Sequence, residues 1–316
     1  MKSLRFLAIF AALLVMETHA FADGTLAGLA GARHSDRLQV RVDRAVSKTL
    51  SSPWTPALGT NQLAVTVVDL TQPAAPEFAS SRGDVLIYPA SVIKLFYLGA
   101  IHQWMEDGRV QDTPEVRRAM RDMIVESYNE ATHYLIDVLT GTTSGPELPE
   151  VELKAWWEKR NAVNRWFATL GYPAGIHASK KPWCEGPYGR EVQAIKAFQP
   201  NRNWLTTEAT ARIVSEIALG RLVSPERSRQ MLDLMARDFA GSTTDPEDQA
   251  HGYTGIALRP GMKLWSKCGL TSDTRHDAAL IELPGGRRVV IVTFTTEHSN
   301  ERNLIPSVAR EILEGL

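Results

Sequence analysis

The chain has 316 residues, 44% of them hydrophobic and 22% charged, which is enough apolar material for a packed core and excludes a disordered chain. Its 35 lysines and arginines nearly balance 36 aspartates and glutamates, and the formal net charge of −1 argues against a non-specific nucleic-acid binder. Two cysteines are too few for a disulfide framework, a four-thiolate zinc site or an iron–sulfur cluster. Residues 1–22 begin with Lys2 and Arg5, run apolar from Phe6 to Met16 and end on Ala20-Phe21-Ala22. That is the layout of an export signal cleaved after Ala22, and the apolar run is too short to span a bilayer. The expected product is periplasmic or secreted, with no membrane contact after cleavage.

Helical spacing is expected over 38–50, then a Val- and Thr-rich strand from Gln62 to Leu70 and a partner strand from Glu77 to Ser81. From Ala90 to Asp107 the pattern is helical and stops at Gly108. Helices are expected at 114–125, 129–139, 152–170, 206–220, 225–238 and 301–315. Between them, 171–204 is rich in Gly, Pro, Lys, Arg and Trp without a period and reads as a long ordered loop. Met262–Lys267, His276–Leu283 and Arg288–Thr296 read as strands, the last two joined by a turn at Pro284-Gly285-Gly286. This order predicts an α/β (α+β sandwich) fold. An antiparallel sheet is built from both chain ends and flanked by helices, with an inserted all-helical subdomain. The expected division is 23–89 with 256–316 for the α/β part and 90–255 for the helical part, with a site at their junction.

Three short motifs carry chemistry. Ser91-Val92-Ile93-Lys94 puts a hydroxyl and an amine one turn apart on a helix whose flanks are apolar on nearly every side. A buried lysine has a lowered pKa and can take a proton from a hydroxyl. Ser127-Tyr128-Asn129 places two polar groups just before a helix, where an ordinary N-cap would also suit them. Lys267-Cys268-Gly269 ends a strand, where a lysine can meet an anionic substrate group and a glycine admits close backbone approach. Singly each motif is weak, since S-x-x-K arises by chance about once in a chain of this length.

Together and in this order the motifs resemble the serine β-lactamase and penicillin-binding-protein superfamily, closest to its class A-like branch, over about 38–316. The resemblance implies that Ser91 is the acylated nucleophile and Lys94 its general base. Ser127 would relay a proton to the leaving nitrogen, and Asn129 would bind the substrate's amide side chain. Lys267 would support Ser127 and attract the substrate carboxylate. The oxyanion hole would be the backbone N–H groups of Ser91 and Leu270, with Cys268 and Gly269 lining the substrate strand and Arg275 on the carboxylate. The implied reaction is hydrolysis of a β-lactam amide through an acyl-enzyme, without metal or cofactor, by a monomer. Alternatives on the same scaffold are a D-alanyl peptidase acting on a D-amino-acid peptide, an amidase, an esterase, or a penicillin-binding sensor that acylates without turnover.

Three departures stand out. Tyr128 occupies the middle of the second motif, where Asp is usual, and Cys268 stands where Thr or Ser is usual. The Glu-x-x-Leu-Asn pattern that marks the deacylating glutamate is absent before the helix start at Thr206-Thr207, leaving Glu185, favoured by its turn-rich aromatic setting, and Glu191. Cys184 and Cys268 both fall near the expected cleft, where an oxidising compartment would permit a bridge. Other hydrolase and metal signatures are missing: no G-x-S-x-G, no H-E-x-x-H and no Gly-rich phosphate loop occurs.

Overall fold

The computed structural model describes residues 26, 28–181, 186–245, 247–314 and 316. The expected export signal, Cys184 and Glu185 lie outside these residues. Seven strands form one sheet: β1 (Arg33–His34), β2 (Leu63–Asp69), β3 (Glu77–Ser81), β4 (Ala236–Arg237), β5 (Lys263–Leu270), β6 (Thr274–Glu282) and β7 (Arg288–Thr296). Their order is β1-β3-β2-β7-β6-β5-β4, antiparallel throughout except for β1 beside β3. The N-terminal β2 therefore pairs with the C-terminal β7, Val67 opposite Ile291.

Strand alternation sorts the sheet residues between two cores. Val65, Val67, Ala279, Ile281, Val289 and Ile291 face a layer made by α1 (Asp36–Leu50) and α10 (Leu304–Leu313). Ala64, Val68, Ala278, Leu280, Val290 and Phe294 face the helices inserted between β3 and β5. Every residue of β2 is buried, because both of its faces are covered. Two inserted helices are central. In α2 (Lys94–Glu106) nearly every residue through Met105 is buried, and in α8 (Thr207–Ala218) only Glu208 and Glu216 are not. A helix buried all round needs no amphipathic stripe, which is why the flanks of Lys94 are so apolar.

Around these lie α3 (Pro114–Ile124), α4 (Asn129–Thr140), α5 (Glu150–Arg160), α6 (Ala162–Thr169), α7 (Gly189–Ala197) and α9 (Pro225–Met235). Three expectations need correction. The single helix over 152–170 is two, broken at Asn161 with φ −87° and ψ 10°. The long loop over 171–204 contains α7. Two-residue β1 and β4 edge the sheet, β4 falling inside a segment read as purely helical.

Candidate functional site

Ser91 lies in a 3-10 turn, Ala90–Ile93, that runs straight into α2. Ala90, just before it, has a φ of +46°, and Ser127 has a φ of +61°. Left-handed backbone costs a non-glycine residue on the order of 1–3 kcal/mol and persists only where the surroundings impose it. Both strained positions flank the same cluster. Lys94 is wholly buried, and its Nζ donates to Ser127 O at 2.5 Å, Asn129 Oδ1 at 2.8 Å and Ser127 Oγ at 3.2 Å. The first two motifs, 33 and 35 residues apart at these contacts, thus meet on one amine. The N-cap of α4 is Tyr128, with no side-chain cap bond, so Ser127 and Asn129 are not spent as caps.

On β5, alternation turns Lys267 and Gly269 toward the inserted helices and Cys268 toward α10. Lys267 is wholly buried, and burial pushes its pKa down to about 8. Its Nζ donates to Gln249 Oε1 at 2.9 Å and to Cys268 O at 2.8 Å. Gln249 also accepts from Cys268 N at 3.1 Å, and its amide donates to Ile124 O and Val125 O, each at 2.8 Å. One buried amide therefore ties the third motif to the segment that leads into Ser127. Gly269 lies against the Ser91 turn. A Cβ there would sit 2.8 Å from Pro89 O and 3.1 Å from Ser91 N. Only glycine lets β5 come this close. Leu270, the expected second oxyanion donor, is the exposed last residue of β5.

Two expected substrate residues sit elsewhere. The Cys268 side chain packs with Tyr253 and Ile305. Arg275, which pairs with Leu270 on the same face of the sheet, is buried. Its guanidinium binds Glu247 Oε2 at 2.6 Å, Gly252 O at 2.7 Å and Ser299 O at 3.0 Å, above the Tyr253 ring. Neither side chain joins the Lys94 cluster, because strand parity puts both on the α10 side.

The segment 171–204 is pinned across its neck. His177 and Trp204 exchange backbone bonds of 2.8 and 3.0 Å. Asn203 Oδ1 accepts from Ser179 N and Lys180 N, and Tyr97 OH, on α2, donates to Lys180 O at 2.9 Å. Lys180 Nζ lies 3.6 Å over the Trp157 ring, and burial lowers its pKa to about 7. Glu191, in the first turn of α7, is held by buried Arg160 at 2.6 Å and Ser144 Oγ at 2.8 Å. Asp137 joins the same network through Arg160 at 3.1 Å and Lys181 at 2.8 Å. A groove of about 840 Å³ runs past Tyr88, Lys180, Arg202, Trp204 and Thr271.

Sequence reasoning missed Gln249, Asn203 and Tyr97. Each acts through a side chain reaching a distant backbone, which leaves no local periodicity. Among the described residues no group of three or more His, Cys, Asp or Glu could hold a metal, and no helix is long and apolar enough to cross a membrane.

A model of the β-lactamase enzyme family matches residues 108–316, which takes in Ser127, Asn129 and Lys267 but begins after Lys94. No curated protein matches the chain. Among solved structures, PBP-A is 19% identical with a TM-score of 0.59, covering 90% of this chain and 98% of that one. A PBP-A point mutant, an acyl-enzyme complex with penicillin-G, is 20% identical with a TM-score of 0.62, covering 89% and 97%. An ancestral class A β-lactamase of Gram-negative bacteria is 18% identical with a TM-score of 0.58, covering 88% and 100%. Likeness at these identities establishes the fold.

Proposed function

The chain belongs to the β-lactamase enzyme family, and from that premise we propose that it is a class A β-lactamase-like serine hydrolase that opens β-lactam amides through an acyl-enzyme on Ser91. The observation that carries the reading is the convergence of Ser127 Oγ and Asn129 Oδ1 on Lys94 Nζ, directly behind the Ser91 turn. In this scheme Ser91 Oγ bonds to the lactam carbonyl carbon. Its proton passes by Lys94 and Ser127 to the ring nitrogen as the C–N bond breaks. The Ser91 and Leu270 N–H groups receive the oxyanion. Lys267 supplies positive charge for the substrate carboxylate, and Asn129 the contact to its amide side chain. Water then hydrolyses the ester, with Glu185 as its activating base. Residues 1–22 are removed on export, so the enzyme meets its substrate outside the cytoplasm.

A second reading, a penicillin-binding sensor that acylates without turnover, draws support from Glu191, whose carboxylate is engaged by Arg160. Mass spectrometry of exported protein after penicillin treatment tests both. With the reaction quenched during turnover, the expected mass is that of a chain beginning at Asp23 plus one drug, attached at Ser91 and absent from Ser91→Ala. An unmodified protein with intact drug refutes the β-lactam reading, and a mass retaining Met1 refutes export. Turnover of a chromogenic cephalosporin then separates the hydrolase from the sensor.

A further inference from the structure

Ser91 is aimed by a turn whose conformation its own sequence does not favour, since Ala90 stands at φ +46°. Something outside the turn must hold it. Two strand residues that pair with each other, Gly269 on β5 and His276 on β6, meet it. A Cβ at Gly269 would stand 2.8 Å from Pro89 O, too close for a side chain, and would crowd Ala90 Cβ and Ser91 N, each at 3.1 Å. Wholly buried His276 reaches the turn's other end, with Nε2 2.9 Å from Tyr88 O. Its second nitrogen, Nδ1, accepts the Thr295 N–H at 3.1 Å. That bond leaves Nδ1 bare and puts the single proton on Nε2, so Nε2 donates to the Tyr88 carbonyl. The ring is steadied from behind by Phe294, its partner on β7, with centroids 4.5 Å apart. Burial pushes the imidazole pKa down to about 4, which keeps the ring neutral near neutral pH.

We propose that His276 is a positioning residue for the nucleophile: by holding the Tyr88 carbonyl from β6 while Gly269 admits the turn from β5, it fixes the left-handed Ala90 and with it the direction of Ser91 Oγ. This role rests on Ser91 being the acylated residue. His276 touches no reacting atom. It acts only through the turn, so its loss reduces the fraction of productive orientations and leaves the binding surface in place.

The test is acylation of the full chain by a penicillin, followed as a function of drug concentration to separate the dissociation constant from the acylation rate. His276→Phe keeps a planar ring and removes both nitrogens. It is expected to slow acylation about 10-fold or more, with the dissociation constant changed less than about twofold. His276→Gln supplies a donor and an acceptor on a flexible side chain and is expected to recover most of the rate. Acylation by His276→Phe at the wild-type rate, or equal loss in both variants, overturns the proposal. Nitrogen-15 NMR of the wild-type ring gives a check that needs no variant. It is expected to show Nε2 protonated and Nδ1 bare, and the opposite tautomer removes the bond to Tyr88. A wild-type chain that forms no Ser91 adduct and leaves the drug intact instead overturns the functional reading, and this role with it.

Discussion

Lys267 brings burial and charge into opposition. Burial lowers its pKa to about 8, while two hydrogen-bonded oxygens, from Gln249 and Cys268, and the nearby Asp277 carboxyl partly compensate the ammonium. The sign of the pH effect follows directly. Below about 8 the amine is charged and attracts an anionic substrate, and above it the charge is lost. For a penicillin, whose carboxylate stays ionised throughout, KM is expected to rise several-fold between about pH 7 and about pH 9. Lys267→Gln should raise KM at the lower pH and flatten the profile. A wild-type KM that stays constant across this range removes Lys267 from carboxylate recognition. At this scale the sequence was readable where function is local. Ser91 and Lys94, the proposed nucleophile and base, are suggested by a spacing of one turn in an apolar run together with the two later motifs. Gln249 and His276 do not, because Gln249 acts on Lys267 18 residues away and on Ile124 125 residues away, and His276 on Tyr88 188 residues away.

Between elements, the tightest constraint is the approach of β5 to the turn that opens α2. Gly269→Ala places a methyl group 2.8 Å from the Pro89 carbonyl oxygen and 3.1 Å from Ser91 N, both backbone atoms that cannot swing aside. Either β5 moves out or the turn moves in. The expected cost is about 1–3 kcal/mol of stability, as for other overpacked sites, together with slower acylation. Thermal unfolding and the rate of Ser91 adduct formation measure the two separately. A variant as stable and as fast as wild type shows that the strand has room to give. The glycine is legible in Lys-x-Gly, but its reason is not, since nothing in the sequence says which backbone it faces. Helix boundaries show the same limit. The continuous run of helix-forming residues over 152–170 hides the break at Asn161, where the chain leaves helical dihedrals for a single residue. Two-residue β1 and β4 are too short to show any alternation at all.

Across the whole molecule, a sheet closed by both chain ends holds one wall of the site, and the inserted helices hold the other. The Gln249 amide, the Asn203 amide and the Arg160 network are the ties across and around that gap. In the proposed acyl-enzyme scheme, the Arg160 network decides which glutamate is available for deacylation. Glu191 has a side chain only 11% exposed and sits against a guanidinium that is itself 1% exposed, so its carboxylate is committed to holding α7 to α5. Removing one charge of a buried pair is destabilising, and here Asp137 at 3.1 Å keeps Arg160 partly compensated. A base that activates water must instead be free to accept a proton. Glu191→Gln is therefore expected to lower the unfolding temperature while the acyl-enzyme still turns over. Glu185→Gln is expected to leave stability near wild type and let the Ser91 adduct accumulate. Intact-mass spectra taken through a cephalosporin time course, beside thermal unfolding of both variants, distinguish the roles. Accumulation in Glu191→Gln alone would move the base to α7 and overturn the assignment to Glu185.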